Sequence, residues 1–127
     1  MLKKIDCIMV KVDDPEEARD FYVRVLGMRQ VWSDDAEGSI GLRFPDGDTE
    51  IVLHRIASIP AKVDVTYLVD DVPRALQTLE REGCTVVAAP FEVAVGKCAV
   101  VVDPLGTPLS LIDLTNPVGV KARSGKA

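Results

Sequence analysis

The chain is predicted to be an α+β protein made of two tandem β-α-β-β-β modules, and three observations predict it. The sequence nearly repeats itself: Val12-Asp13-Asp14 ahead of an amphipathic run closed by Gly27 returns as Val69-Asp70-Asp71 ahead of a run closed by Gly83. The offsets are 57 residues (69 minus 12) and 56 (83 minus 27), and Ala18 matches Ala75 at 57. Each copy also places a Pro-x-Gly turn before an apolar run, Pro45-Asp46-Gly47 and Pro104-Leu105-Gly106, offset by 59 (104 minus 45). Finally, both amphipathic runs open on an aspartate suited to capping a helix and stop at a glycine. Copies this small cannot bury their own apolar faces, so core and cleft are expected to form jointly.

Taken in order, Ile5 to Val12 is rich in β-branched residues and reads as a strand. Asp14 can cap a helix, Pro15 suits its first position, and Glu17 stands where a capping box wants it. Ala18, Phe21, Tyr22, Val25 and Leu26 fall on one helical face. Three strands follow, near Met28 to Ser33, Ser39 to Phe44 and Thr49 to Arg55, parted by acidic and turn-forming segments. The order then repeats. Asp64 to Val69 is a strand, and Asp71 caps a helix with Val72, Ala75, Leu76 and Leu79 on one face. Strands near Thr85 to Ala89, Cys98 to Asp103 and Pro108 to Leu114 complete the copy. The expected organisation is one domain over 1–115, with module one at 4–56, a linker at 57–61 and module two at 62–115. Residues 116–127 are polar and basic, with Pro117 and two glycines, and read as a flexible tail.

A chain of 127 residues is long enough to bury roughly two thirds of the surface its unfolded form exposes. No apolar run approaches the roughly 20 residues that span a bilayer, so no membrane role is expected. Cys7, Cys84 and Cys98 form no CxxC pair and leave an odd thiol under any pairing, which points to reducing cytoplasm. The net charge is −5, and without Lys121, Arg123 and Lys126 it is −8 (−5 minus 3). Such a field disfavours nucleic-acid backbones and suits a neutral or cationic small molecule.

Val10-Lys11-Val12-Asp13-Asp14-Pro15-Glu16-Glu17-Ala18-Arg19-Asp20-Phe21-Tyr22, followed by Leu26-Gly27-Met28, resembles the opening of the vicinal oxygen chelate superfamily of glyoxalases, bleomycin-resistance proteins and extradiol dioxygenases. Val102-Asp103-Pro104-Leu105-Gly106-Thr107-Pro108-Leu109 resembles its closing hairpin. The resemblance spans about Ile5 to Leu114. It implies sheets curled into a shared cup with the helices outside, and a homodimer. It is nearly silent about which member this is.

Many catalytic members hold a divalent metal on one position of the first and last strand of each module. Carried over by motif, these are Cys7 and Asp64, related by 57 residues (64 minus 7), and Val52 and Ser110. Valine has no lone pair and a serine hydroxyl is a poor neutral ligand, so the chemistry departs from the pattern. A displaced set of Glu50, His54 and Asp64, with Cys7 nearby, is the alternative, since Glu50 and His54 share the strand face of Val52. No cofactor is expected, with a divalent metal as the alternative. Trp32, the sole tryptophan, could stack on a ligand or pack structurally. Arg43 could clamp a carboxylate or face outward. Glu50 and Asp64 could act together as acid and base. Cys7 has no evident base and reads as a small buried apolar residue. Met9 and Thr66 complete the cup candidates. The acidic Asp34, Asp35 and Glu37 read as a solvated loop able to draw cations toward the cup.

The leading expectation is a metal-independent small-molecule binding protein, similar to the bleomycin-resistance branch. A metal-dependent lyase, isomerase or dioxygenase acting on vicinal oxygens is the second. A ferredoxin-like regulatory module without a cup is the third.

Overall fold

In the computed structural model, which describes residues 1–123, the Asp14 carboxylate accepts hydrogen bonds from Glu16 N at 3.1 Å and Glu17 N at 3.2 Å. These satisfy backbone donors that the first turn of α1 (Pro15–Arg24) would otherwise leave open. Asp71 serves α2 (Val72–Arg81) in the same way, accepting from Arg74 N at 3.0 Å. Both helices lead into glycines with positive φ, Gly27 at 78° and Gly83 at 98°. The two halves therefore start and stop their helices by the same chemistry.

The chain divides into two compact units, Cys7–Asp64 and Met1–Asp6 with Val65–Ala127. The first unit holds most of β1 (Lys4–Lys11), then α1, β2 (Arg29–Asp34), β3 (Ser39–Arg43) and β4 (Glu50–His54), with strands in the order β2-β3-β4-β1. β1 and β4 run parallel, and the other neighbours are antiparallel. Residues 57–61, expected as a linker, belong to this unit: Ile59 is 2% exposed, and its carbonyl accepts from Lys11 Nζ at 2.7 Å. The second unit repeats the plan with β5 (Val65–Leu68), α2, β6 (Thr85–Val93), β7 (Gly96–Val102) and β8 (Pro108–Ile112), in the order β5-β8-β7-β6. Residues 1–6 join it through Lys3, whose N–H donates to Leu68 O at 2.8 Å. Lys3 Nζ also pairs with Asp70 at 2.9 Å and holds that carboxyl below its usual range.

One face of each sheet is apolar and packs on its helix. In the first unit Met28, Ile40, Leu42 and Leu53 meet Ala18 and Tyr22 of α1. In the second, Val72, Ala75 and Leu76 of α2 meet Ala99, Val101 and Leu111, with Leu79 against them. The single apolar face expected for α1 is narrower than its sequence implies. Phe21, Val25 and Leu26 are 49%, 52% and 54% exposed. The sheet receives the 18/22 row, one helical turn apart, while the helix ends at Arg24 and leaves Val25 and Leu26 in the outgoing turn.

The stretch expected as a flexible tail carries an ordered element over its described part. Pro117–Ala122 forms a short helix α3, capped by Asn116 through Val118 N at 3.2 Å. Val120 packs beside Leu68, Val95, Cys98 and Ile112. Gly119 permits this, because a Cβ there would overlap Ala94 O. Residues 124–127 of the expected tail lie outside the described residues. Among the described residues no helix is long and apolar enough to cross a membrane.

Candidate functional site

Strand alternation sends Ile51 and Leu53 of β4 toward α1, so Glu50, Val52 and His54 occupy the opposite, helix-free face. Register extends that face. Cys7, Met9 and Lys11 of β1 pair with Glu50, Val52 and His54, while Arg43, Gly41 and Ser39 of β3 pair with the same three from the other side. Trp32 of β2 pairs with Gly41. The first unit thus assembles seven sequence-predicted residues on one surface: Cys7, Met9, Trp32, Arg43, Glu50, Val52 and His54.

Glu50 is the centre of this surface. It is 1% exposed, yet it carries a carboxylate, so its environment must replace the hydrogen bonds of water. Trp32 Nε1 donates to its Oε1 at 2.9 Å. Arg43 donates to its Oε2 from Nη2 at 3.0 Å and from Nε at 3.3 Å. The Arg43 side chain is itself only 13% exposed, which makes this a largely desolvated ion pair. Arg43 was a candidate clamp for a ligand carboxylate, and the carboxylate it holds is the chain's own. Trp32 was a candidate stacking ring, and its indole lies against the bare backbone of Gly41, where a Cβ would stand 2.7 Å from Cδ1 and overlap Nε1 and Cε2. Gly41 is the site residue that composition alone passes over. Its signal was a glycine inside a strand, between Ile40 and Leu42, the usual mark of a close approach.

His54 is fully buried, and its Nδ1 accepts from Ile56 N at 3.1 Å. The proton of the neutral ring therefore sits on Nε2, which is buried and has no hydrogen-bond partner among the described residues. Burial, with the Lys11 ammonium second, lowers its pKa from 6.5 to about 4, so the ring is neutral at pH 7. Cys7 is 3% exposed with Sγ 3.5 Å from Met9 Sδ, in line with its reading as a small apolar residue.

The second unit brings Thr66 and Ser110 together: they are register partners, both buried, and Thr66 Oγ1 donates to Ser110 Oγ at 3.0 Å. The same pairing relates Met9 to Val52 in the first unit, so Val52 and Ser110 are equivalent positions of the duplication. Asp64 does not lie in a strand. It is exposed, one residue ahead of β5, and its carbonyl accepts from Met9 N. Of the acidic loop, Asp34 accepts from Glu37 N at 3.0 Å and Glu37 from Ser39 Oγ at 2.9 Å, so two of the three acids build their own turn. Asp34 and Asp35 also line an open pocket of about 430 Å³ with Asp13, Asp14 and Arg55.

These residues do not fit a metal of the kind the resemblance implies. Val52 offers no donor, Ser110 is occupied by Thr66, and Asp64 stands exposed outside the sheet. The displaced set fits no better, since both Glu50 oxygens hold N–H donors and His54 Nδ1 is engaged. Among the described residues no group of three His, Cys, Asp or Glu side chains could hold a metal ion.

A duplicated β-α-β-β-β chain with each helix on one sheet face and a polar cluster on the other defines an α+β protein of a known architecture. The family model of the Glyoxalase/Bleomycin resistance protein/Dioxygenase superfamily matches residues 4–111, and the chain belongs to that superfamily. No curated protein sequence matches it. Among solved structures, methylmalonyl-CoA epimerase from Mycobacterium tuberculosis is similar with a TM-score of 0.70 at 17% identity, covering 94% of this chain and 93% of that one. A Streptomyces coelicolor methylmalonyl-CoA epimerase variant in complex with 2-nitronate-propionyl-CoA gives 0.69 at 15%, covering 91% and 99%. A glyoxalase/bleomycin resistance protein/dioxygenase superfamily member from Vibrio splendidus gives 0.62 at 15%, covering 89% and 98%. At these identities the shared property is the fold.

Proposed function

We propose that this chain binds a neutral or cationic organic molecule on the helix-free face of its first unit, without a bound metal. The observation that carries the proposal is the state of Glu50, whose carboxylate is desolvated and held on both oxygens by Trp32 and Arg43. A carboxylate committed in this way is a preorganised wall of a site, with its charge compensated inside the protein. Val52 adds shape to this face rather than a metal donor. Overall charge supports the same ligand class, because a chain at −5 disfavours polyanions.

The test is a thermal-shift screen of neutral and cationic organic molecules on chelator-treated protein, read beside elemental analysis of untreated protein. The expected result is a ligand that raises Tm equally before and after chelation and changes the fluorescence of Trp32. Stoichiometric divalent metal in the purified protein, whose removal abolishes the ligand response, would overturn the proposal.

A further inference from the structure

We infer that, independently of any ligand, the exposed flank of α1 docks α1 of a second copy of this chain, antiparallel about Phe21, with Arg24 of each copy seated in an acidic groove of the other.

The duplication supplies an internal control. Asp13, Asp14, Glu17, Ala18, Phe21 and Tyr22 line an open groove of about 480 Å³ beside α1. At the 57-residue offset (70 minus 13), Asp70, Asp71, Arg74, Ala75 and Thr78 line a matching groove of about 220 Å³ beside α2, together with Met1. There the chain's own first residues provide the cation: Lys3 Nζ sits on Asp70 at 2.9 Å. Asp13, the equivalent of Asp70, has no such ion pair among the described residues. The helices differ in the same sense. α2 buries Val72, Ala75 and Leu76, whereas α1 buries only Pro15. Where α2 and its cap carry Thr78 and Glu82, α1 and its cap carry Phe21 and Val25, both about half-exposed. An exposed aromatic ring beside carboxylates suits an occupant that is apolar and cationic together.

α1 carries such an occupant itself. Glu17, Phe21 and Arg24 stand at i, i+4 and i+7 and share one stripe of the helix. Arg24 is exposed and forms no ion pair among the described residues. At a rise of about 1.5 Å per residue, Arg24 lies about 4.5 Å beyond Phe21 along the axis and Glu17 about 6 Å before it. A two-fold axis at Phe21 therefore brings Arg24 of one copy level with Glu17 of the other, with Asp14 and Asp13 just beyond. The rings meet at the centre, and the guanidinium fork has carboxylates to hold at each end. The contact is self-complementary, so each ion pair forms twice. A face one helix long places the dimer among weak, reversible ones.

Sedimentation velocity on the full chain, from about 10 µM to about 1 mM, covers the range of a weak interface. Wild type is expected to pass reversibly from monomer to dimer. Phe21→Glu should stay monomeric with its circular-dichroism spectrum unchanged. Glu17→Arg and Arg24→Glu each set like charges face to face twice, and each alone should weaken association about tenfold or more. Mixing these two variants restores both opposite-charge pairs in a heterodimer, so the mixture should associate as wild type does. A wild type that is monomeric throughout, or a dimer that persists unchanged in Phe21→Glu, overturns the inference. A mixture that associates no better than either variant alone overturns it equally, and this arm decides if Phe21→Glu loses its native spectrum.

Discussion

Replacing Gly41 with alanine exchanges a hydrogen for a methyl group at the point where the Trp32 indole rests on β3. That carbon would overlap Nε1 and Cε2 and stand 2.7 Å from Cδ1, so the ring must lift. Overpacking of this kind costs about 1–3 kcal/mol. Lifting the ring also breaks the 2.9 Å bond from Nε1 to Glu50 Oε1, a hydrogen bond to a buried charged group worth about 1.5–3 kcal/mol. Together the two effects predict a loss of about 2.5–6 kcal/mol, a large share of the roughly 5–15 kcal/mol that holds a domain folded. Urea unfolding followed by circular dichroism measures the loss. Because Trp32 is the only tryptophan, its emission reports separately whether the ring has moved. In a Trp32→Ala background there is no ring to displace, and Gly41→Ala should then cost within about 0.5 kcal/mol of zero. Equal costs in the two backgrounds, or an unchanged emission spectrum in Gly41→Ala, would refute the reasoning.

His54 predicts a pH dependence. Its folded pKa of about 4 lies below the unfolded 6.5, so the unfolded chain binds the proton more readily. The contribution is complete above pH 6.5 and is lost as pH falls toward 4, about 3 kcal/mol in total across that window. Urea midpoints at pH 7, 5.5 and 4.5 should fall for wild type and flatten for His54→Leu; parallel curves for the two proteins would count against the assignment. Gly119→Ala should undock α3, since its Cβ would overlap Ala94 O and stand 3.1 Å from Val95 N. Faster amide exchange across residues 94–97 and 117–122, with a loss of about 1–3 kcal/mol, is the expected outcome.

The helices were the most legible elements, because capping is local chemistry. Asp14, Asp71, Gly27 and Gly83 each act on backbone groups within a few residues, and each sits where the repeat places it. Which side of α1 would be buried was not local. Phe21 and Tyr22 are adjacent in sequence and differ in burial because the sheet beneath α1 contacts one row only. At the site, residue types were readable and their wiring was not. Glu50, Arg43 and Trp32 each stood out alone, yet their mutual bonds depend on strand register and on a glycine that leaves room for an indole. Asp64 illustrates the opposite case: the repeat offset assigns it to a strand, but β5 begins at Val65. Composition hid the helix at Pro117–Ala122, since Pro117 and Gly119 mark disorder in many chains and here start a helix and let it dock.

One consequence concerns the timing of synthesis. Residues 1–6 complete the second unit, with Lys3 N–H bonded to Leu68 O, so their partner emerges 65 residues later (68 minus 3). At translation rates of roughly 5–20 residues per second, this segment waits about 3–13 s on the ribosome with its ladder unpaired. An unpaired strand of that kind invites pairing with other nascent chains. Lys3 and Lys4 stand at its start, the kind of charged residue that flanks exposed strands in natural sequences.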